Sequence, residues 1–130
     1  MAALSDHSEK LLLDWLFTNG TAVRPTAWYI ALYTAPPSDS GGGTELSGSG
    51  YARETVTFAP AASPAGTTSN SGAVTFTASG SSWGVVSHMG LFDAVTSGNL
   101  LVHGSLAAPL TIEDGDAVVF AIGSVELALA

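Results

Sequence analysis

From Pro25 onward the chain repeats apolar and polar residues with a period of two, in short runs separated by glycine-containing turn signals. A period of two belongs to extended backbone, because successive side chains of a strand point to opposite faces. In the first run Trp28, Ile30 and Leu32 fall on one side and Tyr29, Ala31 and Tyr33 on the other, so both faces are expected to be partly buried. Arg53 to Phe58 sets Val56 and Phe58 against Thr55 and Thr57, and Ala73 to Thr77 sets Val74 and Phe76 against Thr75 and Thr77. These are half-buried strands, and their shared Val-Thr-Phe triplet suggests that they pair in one sheet. Further strands are predicted over Trp83 to Asp93, Asn99 to Leu106, Ala117 to Ile122 and Val125 to Leu129, with turns at Ser97-Gly98, Asp114-Gly115 and Gly123-Ser124. About seven strands with no later helical pattern predict a mainly β fold, an antiparallel β-sandwich or small barrel. A parallel nucleotide-binding sheet would need crossover helices, for which the sequence has no segments.

One short α-helix precedes the strands. Ser5 and Asp6 are good N-cap residues, Glu9 follows Asp6 by three as in a capping box, and Asn19-Gly20 offers a left-handed stop, so the helix is placed at 6–18. Leu12, Leu13, Leu16 and Phe17 share a stripe that Leu11 and Trp15 widen. Only a substantial surface covers so broad an arc, either the chain's own sheet or a neighbouring subunit. The 130 residues suit a single domain, 1–130, with the helix followed by a β domain at 27–130. Two long connections, 35–50 and 59–71, are rich in Pro, Ser, Thr, Ala and Gly. They read either as solvent loops or as binding loops ordered by a partner.

Charge and cysteine content remove whole classes of function. Without cysteine there is no disulfide framework, thiolate metal site or cysteine nucleophile. Lys10, Arg24 and Arg53 are the only basic side chains besides histidine, against 11 acidic ones, for a formal charge of −8. Such a surface repels nucleic acid and anionic membranes, so neither is an expected partner. No apolar run approaches the roughly 20 residues that span a bilayer. The N-terminus lacks the pattern of a secretory leader, and the mature chain is expected to start near Met1.

The residues available for catalysis form no persuasive constellation. His88, His103 and Asp93 could hold zinc if their strands paired, and Ser87 or Ser105 with His103 and Asp93 could be drawn as a triad. The simpler reading is strand histidines hydrogen-bonded locally, since no strained nucleophile turn followed by a helix is present. Glu113-Asp114-Gly115-Asp116 lacks the further ligands of a calcium loop and reads as an acidic turn entering a strand. Gly41-Gly42-Gly43 lacks the Lys-Ser/Thr of a phosphate loop and reads as a flexible tip. Asp39, Glu45 and Glu54 read as solvated loop charges rather than a glycosidase pair. No catalytic residue, metal or cofactor is therefore assigned.

What remains is a β domain with 46% hydrophobic and 11% charged residues, a balance suited to a subunit packed against neighbours. A homo-oligomer is expected. Candidate interface residues are Trp15, Tyr33, Tyr51 and Trp83, because aromatic side chains concentrate binding energy, with Pro36 and Pro37 in the first long loop. Each aromatic has an alternative place in the core.

Several stretches also resemble a family of small virion proteins of tailed bacteriophages, described as tail fibre or head decoration proteins. They are Tyr29-Ile30-Ala31-Leu32-Tyr33-Thr34, Gly50-Tyr51-Ala52-Arg53, Thr68-Ser69-Asn70-Ser71, residues 83–93 and residues 98–104, in that order, with the Gly115-Asp116 turn beyond them. The resemblance implies a non-enzymatic part of the phage particle, made in the bacterial cytoplasm and carried in the virion. The short chain, without stalk repeats or heptads, favours a capsid decoration or cement protein on the outer head surface. It would bridge major capsid subunits through loops 35–50 and 59–71, with the helix as a second contact. The alternative is a tail fibre or baseplate component facing a host receptor, and the third reading is a small virion hydrolase.

Overall fold

The computed structural model describes residues 2–129 and is mainly β, with one helix near the N-terminus. In chain order the elements are β1 (Ala2–Leu4), α1 (Asp6–Phe17), β2 (Tyr29–Ala35), β3 (Thr44–Glu45), β4 (Glu54–Thr55), β5 (Thr67–Ser69), β6 (Val74–Thr77), β7 (Gly84–Phe92), β8 (Leu100–Ile112), β9 (Ala117–Phe120) and β10 (Glu126–Ala128). The strands missing from the sequence-based expectation are β1, β3 and β5, each of two or three residues and too short to leave a readable alternation. Two of them lie inside the long connections. β3 pairs with β2 and β5 with β10, so parts of both supposed loops are strands held by the fold.

All pairings are antiparallel. The main sheet runs β1-β8-β7-β2, and the far edge of β2 is shared by β3, opposite Tyr33 and Ala35, and β4, opposite Tyr29 and Ile30. β6 with β9 and β5 with β10 form two separate two-stranded sheets. No barrel closes among the described residues, which removes the barrel alternative. The two Val-Thr-Phe triplets are not paired: β4 lies on β2, whereas β6 lies on β9. Their apolar members meet in the core instead, where Val56, Val74 and Phe76 pack in one cluster.

β2 is buried on both faces, as its double alternation implies. Ile30 and Leu32 enter the main core with Val86, Leu91 and Leu101 from the large sheet and Val74, Phe76 and Val118 from a small one. On the other face Ala31 and Tyr33 pack with Phe92 and Leu100 in a second cluster. Tyr51 extends the main core, stacking on Phe76 with centroids 6.2 Å apart and meeting Trp83 edge-on at 5.6 Å.

The helix ends differ from expectation. Ser5 alone is the N-cap: its Oγ accepts a hydrogen bond from Ser8 N at 3.2 Å and donates to the Leu100 carbonyl. Counting from Ser5, the third helical position is Ser8, so Glu9 closes no capping box. At the other end Thr18 turns extended, with φ −127° and ψ 173°, and its hydroxyl accepts from Gly20 N at 2.9 Å. Gly20 is not left-handed, so a side-chain cap rather than a glycine ends the helix.

Candidate functional site

His103, Asp93 and His88 are each engaged in local contacts. His103 Nε2 lies 2.7 Å from Asp39 Oδ1 in the first long connection, not against Asp93. Asp93 closes the β7–β8 turn by accepting from Asn99 N at 2.7 Å and Asn99 Nδ2 at 2.9 Å. Burial raises the Asp93 carboxyl, but these bonds outweigh it and hold the group below its ordinary value. His88 Nδ1 shares a hydrogen bond with its neighbour Ser87 Oγ at 2.8 Å. Neither the zinc set nor the triad is assembled, and among the described residues no three His, Asp or Glu side chains converge on a metal position. In the acidic turn, Asp116 Oδ2 accepts from Glu113 N at 2.9 Å and Asp114 Oδ1 from Gly80 N at 2.8 Å, so these carboxylates brace turns.

Arg53 forms the strongest polar cluster. Its Nε and Nη2 donate to the two Glu45 carboxylate oxygens, both at 2.8 Å, and its Nη1 donates to the Ala94 carbonyl at 2.9 Å and the Ser97 carbonyl at 2.8 Å. The guanidinium lies 3.6 Å from the centroid of the Phe92 ring. Tyr51 donates to Glu45 Oε1 at 2.9 Å and accepts from Leu32 N at 3.1 Å. Burial disfavours the Glu45 anion, but the Arg53 and Tyr51 hydrogen bonds overcome it, leaving the carboxyl below its usual range. Burial, together with the nearby Glu45 charge, pushes the Tyr51 phenol well up. Every strong donor of this cluster meets an internal acceptor, so it clamps β3, β2 and the β7–β8 turn rather than presenting a ligand site.

The candidate interface residues separate by burial. Tyr33 and Trp83 are 4% and 6% exposed and belong to the two core clusters, and Tyr51 is half-buried between Phe76 and Trp83. Trp83 Nε1 donates to the Ser49 carbonyl at 2.9 Å, which satisfies its only polar atom. These three aromatics are thus corrected from surface anchors to core side chains: Tyr33 packs in the second cluster from β2, which is covered on both faces, while Trp83, just before β7, and Tyr51, in the β3–β4 connection, close over the main one. Pro37 is buried and Pro36 exposed. Trp15 remains, 70% exposed on the last turn of α1.

Around Trp15 lies a surface that sequence reasoning placed only as part of an apolar stripe. Ser8, Leu11, Leu12 and Trp15 share one side of the helix, yet Ser8 is buried, Leu11 and Leu12 are half-buried and Trp15 is open. α1 packs on β1 and β8, with Ser5 at its start bonded to the Leu100 and Leu101 carbonyls, and burial on this side falls toward the end of the helix. Leu13 and Phe17 point away from this side and Leu16 lies at its margin, and they are 56%, 77% and 57% exposed; Val23, in the chain that follows, is exposed too. The only signal in the sequence was the breadth of the apolar arc.

The model of one protein family, described as podophage GP4 fiber I protein gp80, matches residues 3–128. No curated protein matches the chain.

Proposed function

Because the chain belongs to the family of the podophage GP4 fiber I protein gp80, a family of phage structural proteins found in the virion, we propose that it acts without catalysis as a building block of a tail fibre. The observation that carries the assembly role is the uncovered apolar end of α1. A free monomer has no use for two large aromatics and two leucines held in water over the last five residues of a helix, whereas an assembling subunit buries them.

The tail position is our reading of a family description that names a fiber protein. The decoration reading rested on the shortness of the chain, and a short chain also suits one piece of a fibre made of several proteins. Its proposed partners are then tail or baseplate proteins rather than the major capsid protein. The loops lose their leading place in this reading, since β3, β5 and the His103–Asp39 pair tie them to the body. Gold-labelled antibody against the protein, applied to intact particles and viewed by electron microscopy, tests the position. Label at the tail is the expected result, label spread over the head restores decoration, and unlabelled particles from cells that make the protein end the virion reading.

A further inference from the structure

We infer that Asn19-Gly20 is a site of spontaneous covalent modification, deamidation through a cyclic imide, and that the side-chain cap of α1 sets its rate. The dipeptide reads as a left-handed helix stop, but the fold does not use it so: Gly20 is not left-handed, and Thr18 ends the helix. Of the three asparagines in a chain without glutamine, Asn19 alone is followed by glycine. Asn70 is buried with both ends of its amide bonded, and Asn99 Nδ2 donates to Asp93 Oδ2. Asn19 is exposed, and among the described residues its side-chain amide makes no hydrogen bond.

The chemistry needs only solvent. The Gly20 backbone nitrogen gives its proton to water or hydroxide and attacks Asn19 Cγ. The new C–N bond closes a five-membered imide while the Cγ–Nδ2 bond breaks, and Nδ2 takes up a proton and leaves as ammonia. Water then opens the imide at either carbonyl, which leaves aspartate or isoaspartate at position 19. In sum one water is consumed and one ammonia released, with no change of oxidation state. Glycine in second place favours ring closure, because no Cβ crowds the attacking nitrogen. The glycine is also demanded by the fold, since a Cβ there would stand 2.9 Å from Asp14 Cγ.

The folded chain restrains the first step. Gly20 N donates to Thr18 Oγ1 at 2.9 Å, and the Thr18 hydroxyl in turn donates to Asp14 Oδ1 at 3.0 Å. To become a nucleophile the nitrogen gives up this bond and turns negative beside the Asp14 carboxylate, which lies against Gly20. Lys10, with the Thr18 hydroxyl, holds the Asp14 carboxyl below its ordinary value, so that it is ionised at neutral pH. The cap that ends α1 is thus also a brake on the modification. The product carries one more negative charge on a chain that already has −8, and its isoaspartate form has an extra backbone carbon directly after α1.

The test incubates the purified full chain at mildly alkaline pH and follows the peptide that holds residue 19 by mass spectrometry, where conversion adds one mass unit. Isomerisation at Asp114-Gly115 leaves the mass unchanged and does not interfere. Thr18→Val suits the extended backbone at this position but removes the acceptor. It is expected to deamidate roughly threefold to tenfold faster than wild type, as the loss of one hydrogen bond allows, whereas Thr18→Ser stays near wild type. Circular dichroism checks that both variants keep the helix. In concentrated urea, where no cap forms, wild type and Thr18→Val are expected to share one faster rate, and Asn19→Ser to show no conversion of this peptide. A folded wild type that reacts as fast as in urea, or at the same rate as folded Thr18→Val, overturns the brake. An Asn19 peptide that keeps its mass even in urea overturns the site.

Discussion

Arg53 is one of three Lys or Arg side chains in the molecule, and its guanidinium is spent entirely on internal contacts. Its side chain is 8% exposed and that of Glu45 28%, so removing the cation strands a carboxylate in a partly dry site. Arg53→Ala is expected to cost about 3 kcal/mol at pH 7, the lower end for breaking a buried pair. Arg53→Lys restores little of it, because an ammonium cannot bond both oxygens and two carbonyls while lying flat on Phe92. The folded-state carboxyl of Glu45 lies below its ordinary value of 4.5. Stability from the pair is accordingly full above that value and is lost as pH falls through the lower folded-state value. Urea unfolding from pH 7 to pH 3 checks this: the gap between wild type and Arg53→Ala narrows below about pH 4.5. A constant gap would mean that the guanidinium acts through packing on Phe92 alone.

At the scale of elements, the connection between β2 and β3 shows why composition misleads. Gly41, Gly42 and Gly43 are all left-handed, and a flexible tip is the natural reading of such a run. Yet Ser38 and Gly41 exchange backbone hydrogen bonds at 2.9 Å, and the Asp39 carbonyl accepts from Asp6 N at 2.9 Å at the start of α1. Gly43 also lies against backbone, since a Cβ there would stand 2.7 Å from Pro37 N and 2.8 Å from the Ala35 carbonyl oxygen, whereas at Gly42 it would meet nothing. Both sites carry the left-handed penalty of roughly 1 kcal/mol on substitution. Gly43→Ala adds the clash and is expected to destabilise by at least about 1 kcal/mol more than Gly42→Ala. Thermal melts of the two single variants read the difference directly, and equal melting points would show that this loop does not pack as a fixed element.

At the scale of the whole molecule, the small sheets are joined to the large one by a shared core and to each other by Asn70. This residue is 1% exposed; its Nδ2 donates to the Gly72 and Ala121 carbonyls at 2.8 and 2.9 Å, and its Oδ1 accepts from Val125 N at 2.9 Å. It fastens the end of the second long connection to the segment between β9 and β10. Asn70→Ala strands the buried Val125 N–H and frees two partly buried carbonyls, an expected loss of about 3 kcal/mol. Because Val74, Phe76, Val118 and Val125 share one cluster with Ile30 and Leu32, the loss is expected to lower a single unfolding transition. Tryptophan fluorescence and far-ultraviolet circular dichroism should move together. Separate transitions for the two probes would show that the small sheets unfold on their own.

The sequence by itself determined what local rules govern. Period-two alternation fixed β2, β6, β7, β9 and the beginning of β8, and the apolar stripe and its start signals placed α1 to within a residue at its end. The charge balance and the absence of cysteine bounded the chemistry. Only the tertiary structure decided which partner each strand took, because β1, β3 and β5 are strands through pairing and carry no pattern of their own. It also decided which aromatics face outward. Trp83 and Trp15 both read as candidate anchors, yet one closes the core over Tyr51 and the other stands in water. Periodicity describes one element's faces, whereas exposure depends on what lies across from each face. The side of α1 that carries Ser8 is covered by β1 and β8 at its start and open at Trp15, a difference that the helical period alone does not carry.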